Sequence, residues 1–338
     1  MAKRRVVRSG LMMPINSQRF VAASWTRNAD SLDYDLEDSV PQGQKAYARS
    51  IVRETLPIPK LGGARVSVRI NCATPEADLE SSVWLPLEMI SHTKTESPDQ
   101  IRFIDAIITR LERQRGIRPG TVEINAMIET ALGMAHCYEI AASSPRIKHF
   151  SGGGGYDMSL DLGVEMFVGF DQFFYGKGEC ELTARTLGQQ PSITVFMPDR
   201  SGSVMDGEAT YARAVANRKT GSRSGGGLHP NVVEPQNRGL TPPPEEVEEA
   251  HRILAFFREV DEAGETEGEL KGTVVDRYEA ARAEELVEWA TACAEKDAYK
   301  ARMREQTLAQ QGGVIATEPT GPVAPPARRQ APTEAPAR

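Results

Sequence analysis

The sequence predicts an α/β chain, a (β/α)8 TIM barrel with an additional C-terminal helical lid, and three observations carry that reading. Eight short strand-like runs, each followed by a helical or turn-rich stretch, succeed one another within about 250 residues, the count and length of such a barrel. The polar residues of these runs gather where each run ends, and the strands' C-terminal ends are where barrels of this kind place their sites. The alternative, a doubly wound sheet, calls for a nucleotide fingerprint, and GGGGYD matches neither GxGxxG nor the GK[ST] of a P-loop.

Residues 11–15 form an apolar run closed by Pro14 and Asn16, and a helix over 17–29 follows. Residues 31–40, SLDYDLEDSV, alternate Leu32, Tyr34 and Leu36 with acids, then stop before a helix beginning near Pro41, so Asp35, Glu37 and Asp38 fall at a strand's C-terminal end. Residues 65–71, RVSVRIN, put Val66, Val68 and Ile70 on one face and carry Arg69 and Asn71 to the end of the other. A fourth strand lies within 84–93, ahead of a helix over 98–115 whose Ile101, Ile104, Ile107, Ile108 and Leu111 recur at helical spacing. The stretch 122–163 reads as strand, helix, strand, with Glu129 closing the first strand and Asp157 just past the second. A parallel βαβ unit opens both strand ends on the same side of the sheet, so these two carboxylates face one crevice.

The seventh strand is expected at 193–197 after a helix over 180–187, and the eighth at 226–228, running into His229 and Pro230. Beyond Pro242 a helix runs to about residue 263, then the connector GETEGELKG, then a last helix over 275–303 with Leu286, Trp289 and Cys293 on one stripe. From about residue 307 the composition turns to Ala, Pro, Gly, Thr and Arg, with too few bulky apolar side chains to bury. The expected organisation is a barrel domain over 1–260, a helical lid over 261–304 and a disordered tail over 305–338.

Composition narrows the function classes. A formal net charge of -7 without an extended Lys/Arg run argues against nucleic acid or an anionic membrane as the main partner. Cys72, Cys137, Cys180 and Cys293 are scattered without a CxxC pair, which points away from a zinc knuckle or a disulfide framework and towards a reducing, cytoplasmic setting. The basic start, MAKRRVVRSGLMMP, breaks its apolar stretch with Arg8, Ser9, Gly10 and Pro14, unlike a signal segment. No stretch approaches the ~18 apolar residues of a membrane span.

Glu129 and Asp157 are a hard, all-oxygen pair, the kind of donor set that Mg²⁺ accepts with waters and substrate filling its other positions. Glu37 and Asp38 serve either by orienting Arg69 or metal-bound water, or as helix caps together with Ser39. Lys45, Arg49 and Arg53 share a helical face, read as solvated, with a phosphate contact as the alternative for the first two. His92, His136, His149 and His251 have no carboxylate or Cys at ligand spacing and are read as structural; His229 is read as shaping its loop.

Several motifs in order carry a resemblance. They are Arg8-Ser9 with Pro14 and Asn16; DLED at 35–38 with Val40; VRIN at 68–71; Ile128-Glu129-Thr130 with Gly133; Asp157 with Asp161-Leu162-Gly163; His229-Pro230 with Val233 and Asn237; and Thr241-Pro242. Over residues 5–260 the chain resembles the HpcH/HpaI aldolase and citrate lyase family, specifically its citrate lyase beta subunit-like CoA-ester lyases. The GTVVD of 272–276 extends the resemblance more loosely.

The resemblance implies Mg²⁺ held by Glu129 and Asp157, Arg69 reaching thioester or oxo-acid oxygens, and Asp276 entering a neighbouring subunit's site as acid/base. Otherwise Asp276 is an acid favoured by a helix dipole. It further implies a homo-oligomer, trimer or hexamer, acting on an acyl-CoA and a 2-oxo acid. The expected reaction makes or breaks the C–C bond between them, as malyl-CoA and citramalyl-CoA lyases do. The alternatives are malyl-CoA thioesterase or malate synthase-like activity on the same site, or a non-catalytic citrate lyase beta-like subunit. Against the family pattern, Tyr156 replaces an acid, Thr93 replaces a Pro before Lys94, Arg223 stands away from the usual basic position, and 167–207 is longer and more aromatic. These departures are expected to touch the acyl and CoA-facing rim.

Overall fold

In a computed structural model of the chain, the residues described are 5–165, 172–192 and 206–310. Eight parallel strands form one curled sheet: β1 (Gly10–Pro14), β2 (Ser31–Asp35), β3 (Arg65–Ile70), β4 (Met89–His92), β5 (Glu123–Ile128), β6 (Ile147–Gly152), β7 (Gln190–Ser192) and β8 (Gly226–Gly227). Their spatial order is β7-β6-β5-β4-β3-β2-β1-β8, so sequence neighbours pair and β8 returns to β1, which is barrel topology. The expected seventh strand at 193–197 lies outside the described residues; the chain enters that position at Gln190, whose strand pairs with β6 from His149.

Helices cover the outside of the sheet. In chain order they are α1 (Gln18–Ala23), α2 (Lys45–Thr55), α3 (Pro75–Ser82), α4 (Pro98–Gln114), α5 (Ala131–Ala135), α6 (Cys137–Ala141), α7 (Tyr156–Asp161), α8 (Phe174–Thr186), α9 (Gly207–Lys219) and α10 (Val233–Leu240). The isoleucine stripe of α4 is buried, and a capping box of Ser97 and Gln100 starts the helix by satisfying amides that have no partner inside it. On the strands, period two does the sorting. Leu32 and Tyr34, Val66, Val68 and Ile70, and Ile124, Ala126 and Ile128 turn outward beneath the helices and form one core, while Asp33, Ser67, Arg69 and Asn125 turn into the barrel.

The C-terminal elements differ from expectation in three ways. The connector is a β-hairpin, β9 (Glu267–Leu270) paired antiparallel with β10 (Thr273–Asp276), standing at the end of α11 (Pro244–Glu262). Lys271 and Gly272 have positive φ of 52° and 81°, the conformation of a two-residue hairpin turn, and β-branched Thr273, Val274 and Val275 favour the return strand. A Cβ at Gly268 would come within 2.8 Å of Phe256 and Val260, so the hairpin is seated on α11 rather than hanging as a flexible linker.

The last helix, α12 (Arg277–Gln310), runs beyond the boundary expected at 304, because Thr307 is buried there and donates to the Leu61 carbonyl at 2.8 Å. The third difference is where α12 lies. Its second half crosses the N-terminal ends of the strands, opposite the mouth that a lid would cover. Trp289 and Cys293 pack on Val6, and Trp289 Nε1 donates to the Leu240 carbonyl at 2.8 Å. A charge cluster, buried except at half-exposed Asp297, completes the joint: Arg8 pairs with Asp30 at 2.8 Å and Asp297 at 2.5 Å, and Lys300 with Asp30 at 2.6 Å. The buried pairing of Arg8 and Lys300 with Asp30 is costly to separate, so this half of the helix is anchored.

Candidate active site

At the other end of the barrel, Glu37, Arg69, Lys94, Glu129 and Asp157 leave consecutive strands and meet. Arg69 ends β3 on the inward face, and its fork is fixed by Asp35 at the end of β2: Nε donates to Oδ1 at 2.8 Å and Nη2 to Oδ2 at 2.7 Å. This two-point grip holds the guanidinium plane, which a lysine there would not reproduce. The remaining Nη1 lies 3.0 Å from Glu37 Oε2 as an ion pair, without the alignment of a hydrogen bond. Burial pushes Asp35 up, but the Arg69 guanidinium and the Ser39 hydroxyl outweigh it, so Asp35 sits below the ordinary carboxylate range.

Glu37 is itself positioned by its own backbone: its N–H donates to Asp35 Oδ1 at 2.8 Å, and Lys45 Nζ reaches the carbonyls of Leu36 and Glu37, both at 2.6 Å, and Asn71 Oδ1 at 2.8 Å. Lys45 therefore ties two strand ends together instead of facing solvent, and Arg49 pairs with buried Asp78 at 2.6 Å. Arg53 rests over the Trp84 ring at 4.1 Å. All three have protein partners, which argues against both the solvated-face and the phosphate readings. Asp38 is mostly exposed and lies 3.6 Å from Lys94. Neither it nor Ser39 caps a helix; Ser39 bonds back to Asp35.

Glu129 follows β5. Its carboxylate accepts the Lys94 N–H at 3.0 Å, and burial pushes it up to about 7, with the charge of Asp157 adding to the rise. Asp157 sits in the first turn of α7, after the glycine run 152–155, on the neighbouring strand's exit. The glycines have a geometric reason: a Cβ at Gly152 would lie 2.0 Å from the Ile128 carbonyl, and one at Gly153 2.2 Å from Gly176. Close passage of this loop past the end of β5 is what brings Asp157 beside Glu129.

Two carboxylates held this close, with the charge of Asp157 adding to the raised proton affinity of buried Glu129, offer the hard oxygen donors that a divalent cation takes. Among the described residues no cluster of three or more His, Cys, Asp or Glu forms a closed cage. A Mg²⁺ ion accepts two carboxylates and fills its remaining positions with waters and substrate oxygens.

Two residues of this constellation escaped the sequence reading. Asp35 was seen at a strand end but given no role, and Lys94 was noted only for the residue before it. Lys94 Nζ lies 2.5 Å from Glu37 Oε1 and 3.2 Å from Asp157 Oδ1. Burial lowers its proton affinity, but these carboxylates more than offset that and hold it charged. Its place just past β4 was the available signal.

Asp276 is not brought to this group: its Oδ1 accepts the N–H groups of Tyr278 at 2.8 Å and Glu279 at 3.0 Å, capping α12. Arg223, expected near the rim, precedes β8 and lies at the opposite end, 5.6 Å over Trp289 and 3.4 Å from Glu285. His229 Nδ1 accepts the Asn231 N–H at 3.2 Å, in keeping with a loop-shaping role. Tyr156 is exposed beside Asp157, and Thr93 is buried with its hydroxyl on the Ile70 carbonyl at 3.3 Å. Buried His92, lowered by desolvation to about 4, bonds Thr95 at 2.8 Å and stays neutral. No helix among the described residues is long and apolar enough to cross a membrane.

Comparison with known proteins agrees with this architecture. A family model described as HpcH/HpaI aldolase/citrate lyase matches residues 8–217. The chain is 27% identical over 295 residues to the citrate lyase subunit beta of Leuconostoc mesenteroides subsp. cremoris, covering 86% of this chain and 96% of that protein. It is 30% identical over 282 residues to an L-malyl-CoA/beta-methylmalyl-CoA lyase of Cereibacter sphaeroides, covering 77% and 86%. Among solved structures, CitE from Mycobacterium tuberculosis in complex with magnesium, acetoacetate and coenzyme A superimposes with a TM-score of 0.68 at 22% identity, over 85% of this chain and 98% of that one.

Proposed function

The chain belongs to the HpcH/HpaI aldolase/citrate lyase family, and on that premise we propose that it is a Mg²⁺-dependent CoA-ester lyase joining or cleaving an acyl-CoA and a 2-oxo acid. The observation that supports this most is the convergence of Glu129, Asp157 and an Asp35-fixed Arg69 at the C-terminal mouth of the barrel. Glu129 and Asp157 would hold the ion, which supplies Lewis-acid polarisation of the oxo-acid carbonyl when bound.

The protein's part is positioning and charge. Arg69, immobilised by Asp35, presents a guanidinium edge towards the mouth, where negative charge develops as the C–C bond breaks and a thioester enolate leaves. Donors fixed in advance need no reorganisation at that moment. Glu37 restrains the free Nη1 of Arg69. In the cleavage direction a base takes the hydroxyl proton, and the enolate carbon is protonated afterwards.

Asp276 is the group we assign to this proton transfer, supplied by a neighbouring copy in a homo-oligomer. Within its own chain it sits on an arm made of the far end of α11, the hairpin and the first turns of α12, with Val274 and Tyr278 exposed at the tip. An arm anchored at its base and apolar at its tip suits docking on a second subunit.

Incubating the protein with Mg²⁺ and pairs of acyl-CoA and 2-oxo acid, with mass detection, tests the proposal. A condensed hydroxyacyl-CoA is the expected product. Free CoA together with the free hydroxy acid would favour the malate synthase-like alternative, release of CoA only from added malyl-CoA would favour the thioesterase, and no turnover of any of these would favour a non-catalytic subunit.

A further inference from the structure

We propose that Lys94 is a positioning residue whose ammonium shares Asp157 with the metal, so that Mg²⁺ binds tightly only when an anionic 2-oxo acid arrives with it. This rests on the Mg²⁺ reading above. Lys94 touches more of the constellation than any other side chain in it: Nζ reaches Glu37 at 2.5 Å, Asp157 at 3.2 Å and Asp38 at 3.6 Å, and its N–H holds Glu129 at 3.0 Å. Its backbone is at φ 46°, in the left-handed region that a residue with a Cβ enters only when its surroundings compel it. That conformation turns the amide to Glu129 while the side chain reaches Glu37 and Asp157, so one residue gathers carboxylates from the exits of three strands. With Thr93 buried and bonded to Ile70 just before it, the segment has little freedom to retreat.

Electrostatics then sets the order of events. A monocation this close to Asp157 occupies part of the charge a dication would use, and repels that dication once it is bound. The carboxylate of a 2-oxo acid supplies the missing negative charge and gives the ammonium a new partner, so metal and oxo acid favour one another's binding. The metal on its own would bind weakly.

Calorimetric titration of Mg²⁺ into the full-length protein, Lys94→Met and Lys94→Arg, with and without saturating pyruvate, tests this. Lys94→Met is expected to bind Mg²⁺ alone about tenfold more tightly than the parent, the scale of one nearby charge, while gaining less from pyruvate. Lys94→Arg, which keeps the cation, should stay close to the parent. A merely structural lysine predicts the opposite sign, since its loss would loosen Asp157 and weaken the metal. Equal or weaker binding in Lys94→Met overturns the inference, and Lys94→Gln serves in its place if the first variant does not fold. Absence of Mg²⁺ binding in the parent and in every variant would instead overturn the metal reading on which it rests.

Discussion

Replacing Glu129 with glutamine is expected to stabilise the metal-free protein at alkaline pH while removing its response to Mg²⁺. Burial raises this carboxyl from an ordinary 4.5 to about 7. Below 4.5 the group is protonated in the folded and unfolded chains alike and contributes nothing. Between the two values the folded chain keeps a proton that the unfolded chain has released, so stability falls as pH rises. Above about 7 the full penalty stands, about 3 kcal/mol from the separation of the two values.

An uncharged amide of the same shape escapes that penalty and still accepts the Lys94 N–H. Urea denaturation in EDTA is the assay. The variant should exceed the parent in stability by less than about 1 kcal/mol at pH 5 and by about 2–3 kcal/mol at pH 8.5. Asp33, also raised by burial to about 6, titrates in both proteins and cancels from the difference. Added Mg²⁺ should then stabilise the parent only. A stability difference that is the same at both pH values would refute the burial of a titrating carboxyl at this position.

Other outcomes follow from the same geometry. Asp276→Ala and Arg69→Ala should each be inactive alone and regain part of the activity when mixed and allowed to exchange subunits; full activity in Asp276→Ala by itself would remove the shared-site proposal. Arg69→Lys loses the two-point grip of Asp35, and a fall in kcat of about 100-fold or more is expected in steady-state assays. Asp30→Asn leaves Arg8 and Lys300 with a buried charge poorly matched, which should cost about 3–5 kcal/mol in chemical denaturation and free the second half of α12 to proteolysis. Removing residues 311–338 should leave the melting temperature unchanged, whereas removal from Thr307 onward should lower it measurably by calorimetry, since it takes away the buried contact with Leu61.

Barrel topology and most of the constellation could be read from residues alone because they depend on local periodicity. Alternation in RVSVRI decides which face Arg69 occupies, the isoleucine stripe of 98–115 makes a one-sided helix, and carboxylates following strands arrive at a common mouth in a parallel barrel. The hairpin at 267–276 was missed for an equally local reason: its first strand, Glu-Gly-Glu-Leu, has no strand-favouring composition and forms only because β10 and α11 supply its partners.

By itself, then, the sequence determined the strand and helix order, the inward face of each strand, and the set of acids and arginine available to a site. Tertiary structure decided the partners. That Asp35 grips Arg69, that Lys94 spans Glu37 and Asp157, and that α12 is locked by Arg8, Asp30, Asp297 and Lys300 across the strands' N-terminal ends are facts about residues up to 289 positions apart. A charged side chain long enough to reach several acids is directed by where the others are held, and burial then makes the pairing obligatory. Periodicity reports which way a side chain leaves the backbone; only the curled sheet brings the side chains at the ends of different strands within about 3 Å of one another.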